Sequence, residues 1–502
     1  MANDSKLRKT SLDDLPAGSN DQVYEKDKRG RAVLPAGLTG RDIYGDVIRI
    51  AWPSFLELML TQLTSMADQI MVGQLPGQLG VTALSAVGLS AQPKFLLMTM
   101  IQALNVGATA MVARFRGQGN QEKANAVFRQ GIIISLIISA ISMILGLVFD
   151  AQLIRFIAGS GISDETFQFG REYFRIQMYG FVPLALTFTC TAVLRGIGDT
   201  KTPMYYNIIA NVTNLIFNYF MIYGKFGFPA LGVTGASIAT VIGQMVAFFI
   251  ALYIVVSKKR YIYITFGKGM LKFDRDIMYD VVVIGLPSMI EQLFMRAGNI
   301  IFTRTVTGLG DTPYATHLVC MNIQSMSFMI GQAFANASTT LVGQSLGKKR
   351  YDMAEIFMRY TRHIGMAVSV VVGLGMFFFG RNIVWLYNQT PEIVNMGGQI
   401  LMLMAFLQPL QSSQFIIAGG LRGAGDTKYT AMVILITVLI VRASFAVVMV
   451  NFLNWGLWGA WIALACDQAL RSLLILLRYN SGKWKNIRLR GDSSDVDLAD
   501  SI

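Results

Sequence analysis

Leu194-Arg195-Gly196-Ile197-Gly198-Asp199-Thr200-Lys201 returns 227 residues later as Leu421-Arg422-Gly423-Ala424-Gly425-Asp426-Thr427-Lys428, with one position changed. A repeat this long with one difference marks an internal duplication. Other features recur at similar offsets and in the same order. Pro53-Ser54-x-x-Glu57 matches Pro287-Ser288-x-x-Glu291, Gly117 matches Gly347, and Gln244 matches Gln468. The chain is therefore two copies of one unit joined end to end.

Between these markers the chain is apolar. Of its 502 residues, 53% are hydrophobic and only 15% charged, and mean hydropathy is +0.48. Soluble domains carry roughly 25% charged residues. An ordinary soluble enzyme, a disordered chain and the usual kind of nucleic-acid binder are thereby excluded. A membrane-spanning helix takes about 20 mostly apolar residues. Twelve such segments start near residues 48, 84, 124, 168, 202, 232, 277, 313, 354, 394, 428 and 456. The fold class expected is an all-α polytopic membrane protein of two six-helix bundles. Six is even, so both halves enter the membrane in the same orientation, as a parallel repeat about an axis along the membrane normal. Transporters built this way bind substrate between the halves. The organisation expected is a tail (1–47), a first lobe (48–257), a linker (258–276), a second lobe (277–478) and a tail (479–502).

The net charge of +13 comes from 43 Lys+Arg against 30 Asp+Glu, and its placement decides its meaning. The even-numbered connections hold most of the cations, among them Arg114, Arg116, Lys123, Lys201, Lys258, Lys259, Arg260, Lys268, Lys272, Lys348, Lys349, Arg350 and Lys428. The odd-numbered ones hold Arg155, Arg171, Lys225 and Arg381. By the positive-inside bias, both termini are cytoplasmic. Lys483, Lys485, Arg488 and Arg490 suit anionic headgroups of the bilayer, and no nucleic-acid partner is needed. The first 44 residues lack an apolar core of the signal-peptide kind, so a solvated cytoplasmic tail is expected there.

Enzyme chemistry has little material. Cys190, Cys320 and Cys466 form no metal-binding spacing, and His317 and His363 are far apart. No cofactor and no resident metal are expected. Ionisable and polar residues inside the spans are the candidates instead, because they are costly there. In the first span Glu57, Thr61, Thr64 and Asp68 follow one another in steps of 4, 3 and 4 and share one helical face. Asn207, Asn211, Asn214 and Asn218 repeat that period in the fifth span. Carboxylate, hydroxyl and amide oxygens suit a hard cation such as Na⁺, held transiently at Asp68. A desolvated carboxylate suits a proton equally. Hydrogen bonding between helices is the competing structural role.

The second half does not copy the stripes; Met295, Gly298 and Phe302 follow Glu291 at the equivalent spacing. It has secondary candidates of its own in Glu291, Arg296, Gln411, Arg442 and Asp467. Arg442 and Asp467 lie at matched depth from the outer ends of the eleventh and twelfth spans. A buried pair is expected, with Arg471 one turn further on. Glu291 is available to Arg296 but does not share its helix face. The 28 Met and 31 Phe suit an adaptable apolar cavity. Pro53 and Pro287 stand at equivalent points where a kink would bend the first and seventh spans.

At the doubled motif, extended in the first copy by Thr202-Pro203-Met204, the chain resembles the multidrug and toxic compound extrusion (MATE) family from about residue 48 to 478. The resemblance implies a V of two six-helix bundles around a central cavity. It implies cation-driven export of amphipathic, often cationic, small organic compounds by alternating access. It further implies a monomer in the plasma membrane (the inner membrane of the cell) that exchanges substrate for H⁺ or Na⁺. Asp68 matches the family's coupling aspartate. Asn214 and Asn218 match a pair that in some members is Asn then Asp, so Asn218 is a departure that removes one negative charge. Some members bind their cation through acids in the seventh and tenth spans; the tenth here offers Gln411, Ser412 and Ser413. Coupling is therefore expected in the first lobe. The motif itself reads as a structural corner. Gly196 and Gly198 end the fourth span, Asp199 or Thr200 caps the fifth, and Arg195 faces the cytoplasm. Arg422, Gly425 and Asp426 are their counterparts. Lipid-linked oligosaccharide flippases of the same broad superfamily are the alternative, but they usually have more spans.

Overall fold

A chain in lipid can satisfy its backbone N–H and C=O groups only within the spanning segment, so the apolar stretches fold as helices. The computed structural model describes residues 18, 24–28, 30–76, 78–158, 163–258, 260–264, 274–487 and 489. Lys259, Lys268 and Lys272 of the linker, and Arg488 and Arg490 of the C-terminal tail, lie outside the described residues.

The first half forms α1 (Gly40–Gly73), α2 (Gln78–Gly117), α3 (Gln121–Val148), α4 (Asp150–Ala158), α5 (Asp164–Tyr179), α6 (Phe181–Gly196), α7 (Lys201–Tyr223) and α8 (Gly232–Val256). The second half forms α9 (Arg275–Thr307), α10 (Asp311–Gly347), α11 (Tyr351–Tyr387) and α12 (Pro391–Gly423). It continues through α13 (Thr427–Ile434), α14 (Ala443–Val447) and α15 (Gly456–Asn480). Among the described residues nine helices are long and apolar enough to cross a membrane, and the pair α5–α6, bent by 54°, makes a tenth as one broken span. Helices α1 and α7 are 34 and 23 residues long. They carry the two polar stripes, which is why they stand outside that apolar set. The bend falls at Gly180, where a Cβ would stand 2.7 Å from Gln244 Oε1 and 2.9 Å from a Val241 methyl, so only glycine lets α8 approach.

The chain divides into two compact units. Among the described residues one draws on 18–55, 113–120 and 290–489, the other on 56–112 and 121–289. Helices α1 and α9 thus each change unit two residues after their internal proline. The physical cause is packing. In the first of these units Ile43, Val47, Ile50 and Ala51 of α1 are buried with Ala337 and Leu341 of α10 and Met353, Ile356 and Phe357 of α11. In the other, Gly285 of α9 lies so close to Ala103 of α2 that a Cβ would meet its carbonyl oxygen at 2.7 Å.

Part of the segment expected to be solvated is instead packed. Ala32 is 5% exposed, its N–H donates to Glu355 Oε1 at 3.2 Å, and Arg359 donates to its carbonyl at 3.0 Å. Lys485 closes on the other oxygen of Glu355. A buried carboxylate needs partners, and the two tail segments supply them.

The eleventh span is not a plain α-helix. Leu435–Arg442 and Val448–Phe452 are wound as π-helix on either side of α14. Wide turns of this kind are rare and re-aim side chains, often at functional sites. Here the first one ends on Arg442, the span's buried charge.

Candidate functional site

The two polar stripes meet as a ladder. Asn207 Nδ2 donates to Glu57 Oε1 at 2.6 Å, Asn211 Nδ2 to Thr61 Oγ1 at 3.3 Å, and Asn218 Nδ2 to Asp68 Oδ1 at 2.5 Å. Each rung joins residues 150 positions apart, so α1 and α7 run parallel in constant register. The amide of Asn214 satisfies both its ends when its nitrogen donates to Asp68 Oδ1 at 2.9 Å and its oxygen accepts from Thr240 N–H at 3.2 Å. Thr61 and Thr64 donate their hydroxyl protons to carbonyls of their own helix, Glu57 O at 2.8 Å and Leu60 O at 2.9 Å. Thr61 therefore offers α7 only its lone pairs, and Asn211 uses one. Tyr173 of α5 bonds Thr240 and stands within electrostatic reach of Asp68.

The two acids of the ladder differ in what neutralises them. Glu57 is ion-paired to Arg195 Nη2 at 2.7 Å. Asp68 lies 11 residues along the helix, about 16 Å away at 1.5 Å per residue. Its close contacts are amides, and among the described residues no cation pairs with it. Arg195 therefore does not simply face the cytoplasm; it reaches in to the buried Glu57. The duplication repeats the arrangement. Arg422 Nη2 lies 2.5 Å from Glu291 Oε1, and Thr430 Oγ1 donates to Glu291 Oε2 at 3.0 Å. Glu291 is thus taken by Arg422, while Arg296 stands exposed on α9. Each half ties its signature arginine to its own Pro-Ser-x-x-Glu glutamate.

The corners otherwise follow their residue types. Gly198 and Gly425 have φ of +87° and +89°, a left-handed turn that glycine adopts without strain. Gly196 instead stays helical, and a Cβ there would meet Thr109 O at 2.9 Å. Asp199 accepts from the N–H of Thr202 at 3.1 Å and from its hydroxyl at 2.7 Å, capping α7. Asp426 pairs with Arg478 at 2.6 Å.

In the second half Asp467, with 0% exposure, holds two guanidiniums. Arg442 Nε lies 2.9 Å from Asp467 Oδ2 and Arg471 Nη2 2.7 Å from Oδ1. Arg442 Nη1 donates to Asn299 Oδ1 at 2.7 Å. Gln411 accepts from Gln324 Nε2 at 2.7 Å, beside a Gln408–Ser327 bond. Arg362 donates to Ser413 at 2.8 Å.

Sequence reasoning missed Asn299, Gln324, whose Oε1 also accepts from Gln408 Nε2 at 3.3 Å, and, in the first half, Lys94. Lys94 sits inside α2 and donates to Gln177 Oε1 at 2.5 Å, while Gln177 Nε2 donates to Ser237 O at 3.2 Å. The signal that would have found it is the one used for Asp68, a lone charge within an apolar span.

A duplicated helical bundle protein whose spans bury a ladder of polar groups is a multi-pass membrane transporter. The chain belongs to the MatE family, whose model matches residues 53–220 and 287–448, one copy in each half. It is 28% identical over 446 residues to the probable multidrug resistance protein NorM of Thermotoga maritima, covering 88% of this chain and 94% of that protein. It is 27% identical over 441 residues to the uncharacterized transporter YisQ of Bacillus subtilis, covering 87% and 94%. Among solved structures it superposes on MATE in complex with MaD3S with a TM-score of 0.80 at 22% identity, over 88% of this chain and 97% of that one. A MOP superfamily transporter from Pyrococcus furiosus gives the same TM-score and identity over 88% and 95%. These structures share the all-helical fold.

Proposed function

We propose that this chain is a secondary active antiporter of the plasma membrane, with both termini cytoplasmic. It exports amphipathic, often cationic, organic compounds in exchange for H⁺ or Na⁺ by alternating access, with Asp68 as the coupling group. Multidrug resistance in the names of its relatives supports the export of such compounds. The reading rests on one observation above all. Glu57, Glu291 and Asp467 are each neutralised by arginine, whereas among the described residues the charge of Asp68 is met by the amides of Asn214 and Asn218 and by no cation. A carboxylate held by neutral amides keeps its charge available to an exchangeable cation or proton. Asn218, standing where some relatives place a second acid, keeps that site at a single negative charge. Small organic compounds and the bilayer are its partners, and a monomer suffices because both copies of the repeat lie in one chain.

The test imposes either a pH or a Na⁺ gradient on proteoliposomes of the purified protein and follows a fluorescent cationic dye. Dye movement driven by one gradient, and not by an electrically matched K⁺ gradient, is expected. Equal downhill leakage under all three gradients would refute antiport.

A further inference from the structure

The unit that holds Asp68 carries inside its spans a second charge that has no ionic partner among the described residues, and it has the opposite sign. Lys94 is the seventeenth residue of the 40-residue α2, about 24 Å from the helix's outer end at 1.5 Å per residue. Its side chain is too short to snorkel from there to a headgroup. Among the described residues no carboxylate pairs with it, and its one hydrogen bond goes to a neutral amide, Gln177 Oε1. That amide is fixed from behind. Gln177 is 2% exposed and its nitrogen is committed to Ser237 O, so its oxygen can only face the amine. An ammonium has three N–H donors and no acceptor. One is used, two remain, and the side chain is only partly buried. A cation inside a span, pre-aimed and donor-rich, is arranged to receive an oxyanion.

The groups that hold Lys94 and those that surround Asp68 are carried by the same two helices. Helix α5 carries Gln177 and, four residues earlier on the same face, Tyr173. Helix α8 carries Ser237, which holds Gln177, and Thr240, which meets Tyr173 and Asn214. Lys94 and Asp68 are thus both met by side chains on α5 and α8 or held by groups that those helices fix.

We propose that Lys94, positioned by Gln177, is an anion subsite whose ammonium receives a carboxylate or similar oxyanion of the exported compound. This rests on the export reading and names the residue that meets an anionic group of the exported compound.

The test measures equilibrium binding to purified protein of two dyes with one ring system. One is a cationic rhodamine ester and the other its free-carboxylate analogue. Lys94→Gln is expected to weaken the carboxylate dye about tenfold or more, the loss of one charge-assisted contact. Ester binding stays within about twofold, which also shows that the variant is folded, and Lys94→Arg keeps most of the carboxylate affinity. Competition by chloride and by inorganic phosphate separates two sources of the anion. Displacement of the carboxylate dye from wild type but not from Lys94→Gln assigns the subsite to a free anion as well; no displacement reserves it for the substrate's own carboxylate. Equal loss of both dyes, or unchanged binding of both, overturns the proposal. Failure of wild type to bind the ester dye would instead count against the export reading, since the carboxylate dye reports on Lys94 separately.

Discussion

Asp467→Asn is the perturbation whose cost follows most directly from geometry. Asp467 lies wholly buried between Arg442 and Arg471, both 6–7% exposed at the side chain. Opposite charges about 4 Å apart attract by about 4 kcal/mol at an effective dielectric of 20. Two such attractions converge on one carboxylate, opposed by one repulsion between the guanidiniums it separates. Asparagine keeps the shape and removes both attractions, leaving two buried cations without a counter-charge. Breaking a buried pair in this way costs about 3–5 kcal/mol. At roughly 2–4 °C per kcal/mol for a unit of this size, the apparent Tm should fall by roughly 6–20 °C. Arg471→Gln is the informative control. It leaves a neutral Arg442–Asp467 pair and should cost less, about 1–3 kcal/mol. The double variant Asp467→Asn/Arg471→Gln should recover part of the single loss, because it removes one of the stranded charges. Thermal unfolding of detergent-solubilised protein, followed by monodispersity after heating, reads all three. If the double variant is less stable than Asp467→Asn alone, the charge argument is wrong and the cluster acts through packing.

Three further outcomes are expected. Asp68→Asn should abolish gradient-driven dye export in proteoliposomes while substrate binding largely survives; full transport by this variant would remove Asp68 from coupling. Asn214→Ala should shift the dependence of export on pH or on Na⁺ concentration, because it deletes one of the two amides on Asp68, and an unchanged profile would return the asparagine stripe to helix adhesion. Gly347→Ala should destabilise by about 1–3 kcal/mol through overpacking, since its Cβ would run into the backbone of Arg114, as that of Gly117 would into Gln344. A Tm equal to wild type in Gly347→Ala would show that the two helix ends give way.

The ladder was legible because period and register are local properties. Steps of 4, 3 and 4 on two helices put eight polar groups on two faces, and parallel packing then pairs three of the four steps rung for rung and turns Asn214 onto Asp68. The Arg442–Asp467 pair was legible from depth alone. Other features were not, for physical reasons. Arg195 sits at the very end of α6, beside a turn, where a cation reads as solvated, and only the tertiary fold brings the buried Glu57 within its reach. Lys94 has only Ser90 one turn away on α2, too little to read as a stripe, and its partner Gln177 comes from another helix. The packing of Ala32 against Glu355 depends on a hydrophobic surface of α10 and α11 that the tail's own polar composition does not announce.

The passage of α1 and α9 from one compact unit to the other constrains how the protein is made. The unit built on Leu56–Val112 lacks part of its core until Arg275–Met289 has been synthesised. The first turns of α1, meanwhile, wait for α10 and α11, which are translated far later. The first six spans, released alone from the ribosome, would present an unfilled groove and an unburied apolar helix start to quality control. Gene halves divided within the 258–276 connection should therefore accumulate only when co-expressed, each acting as the other's assembly partner in the bilayer.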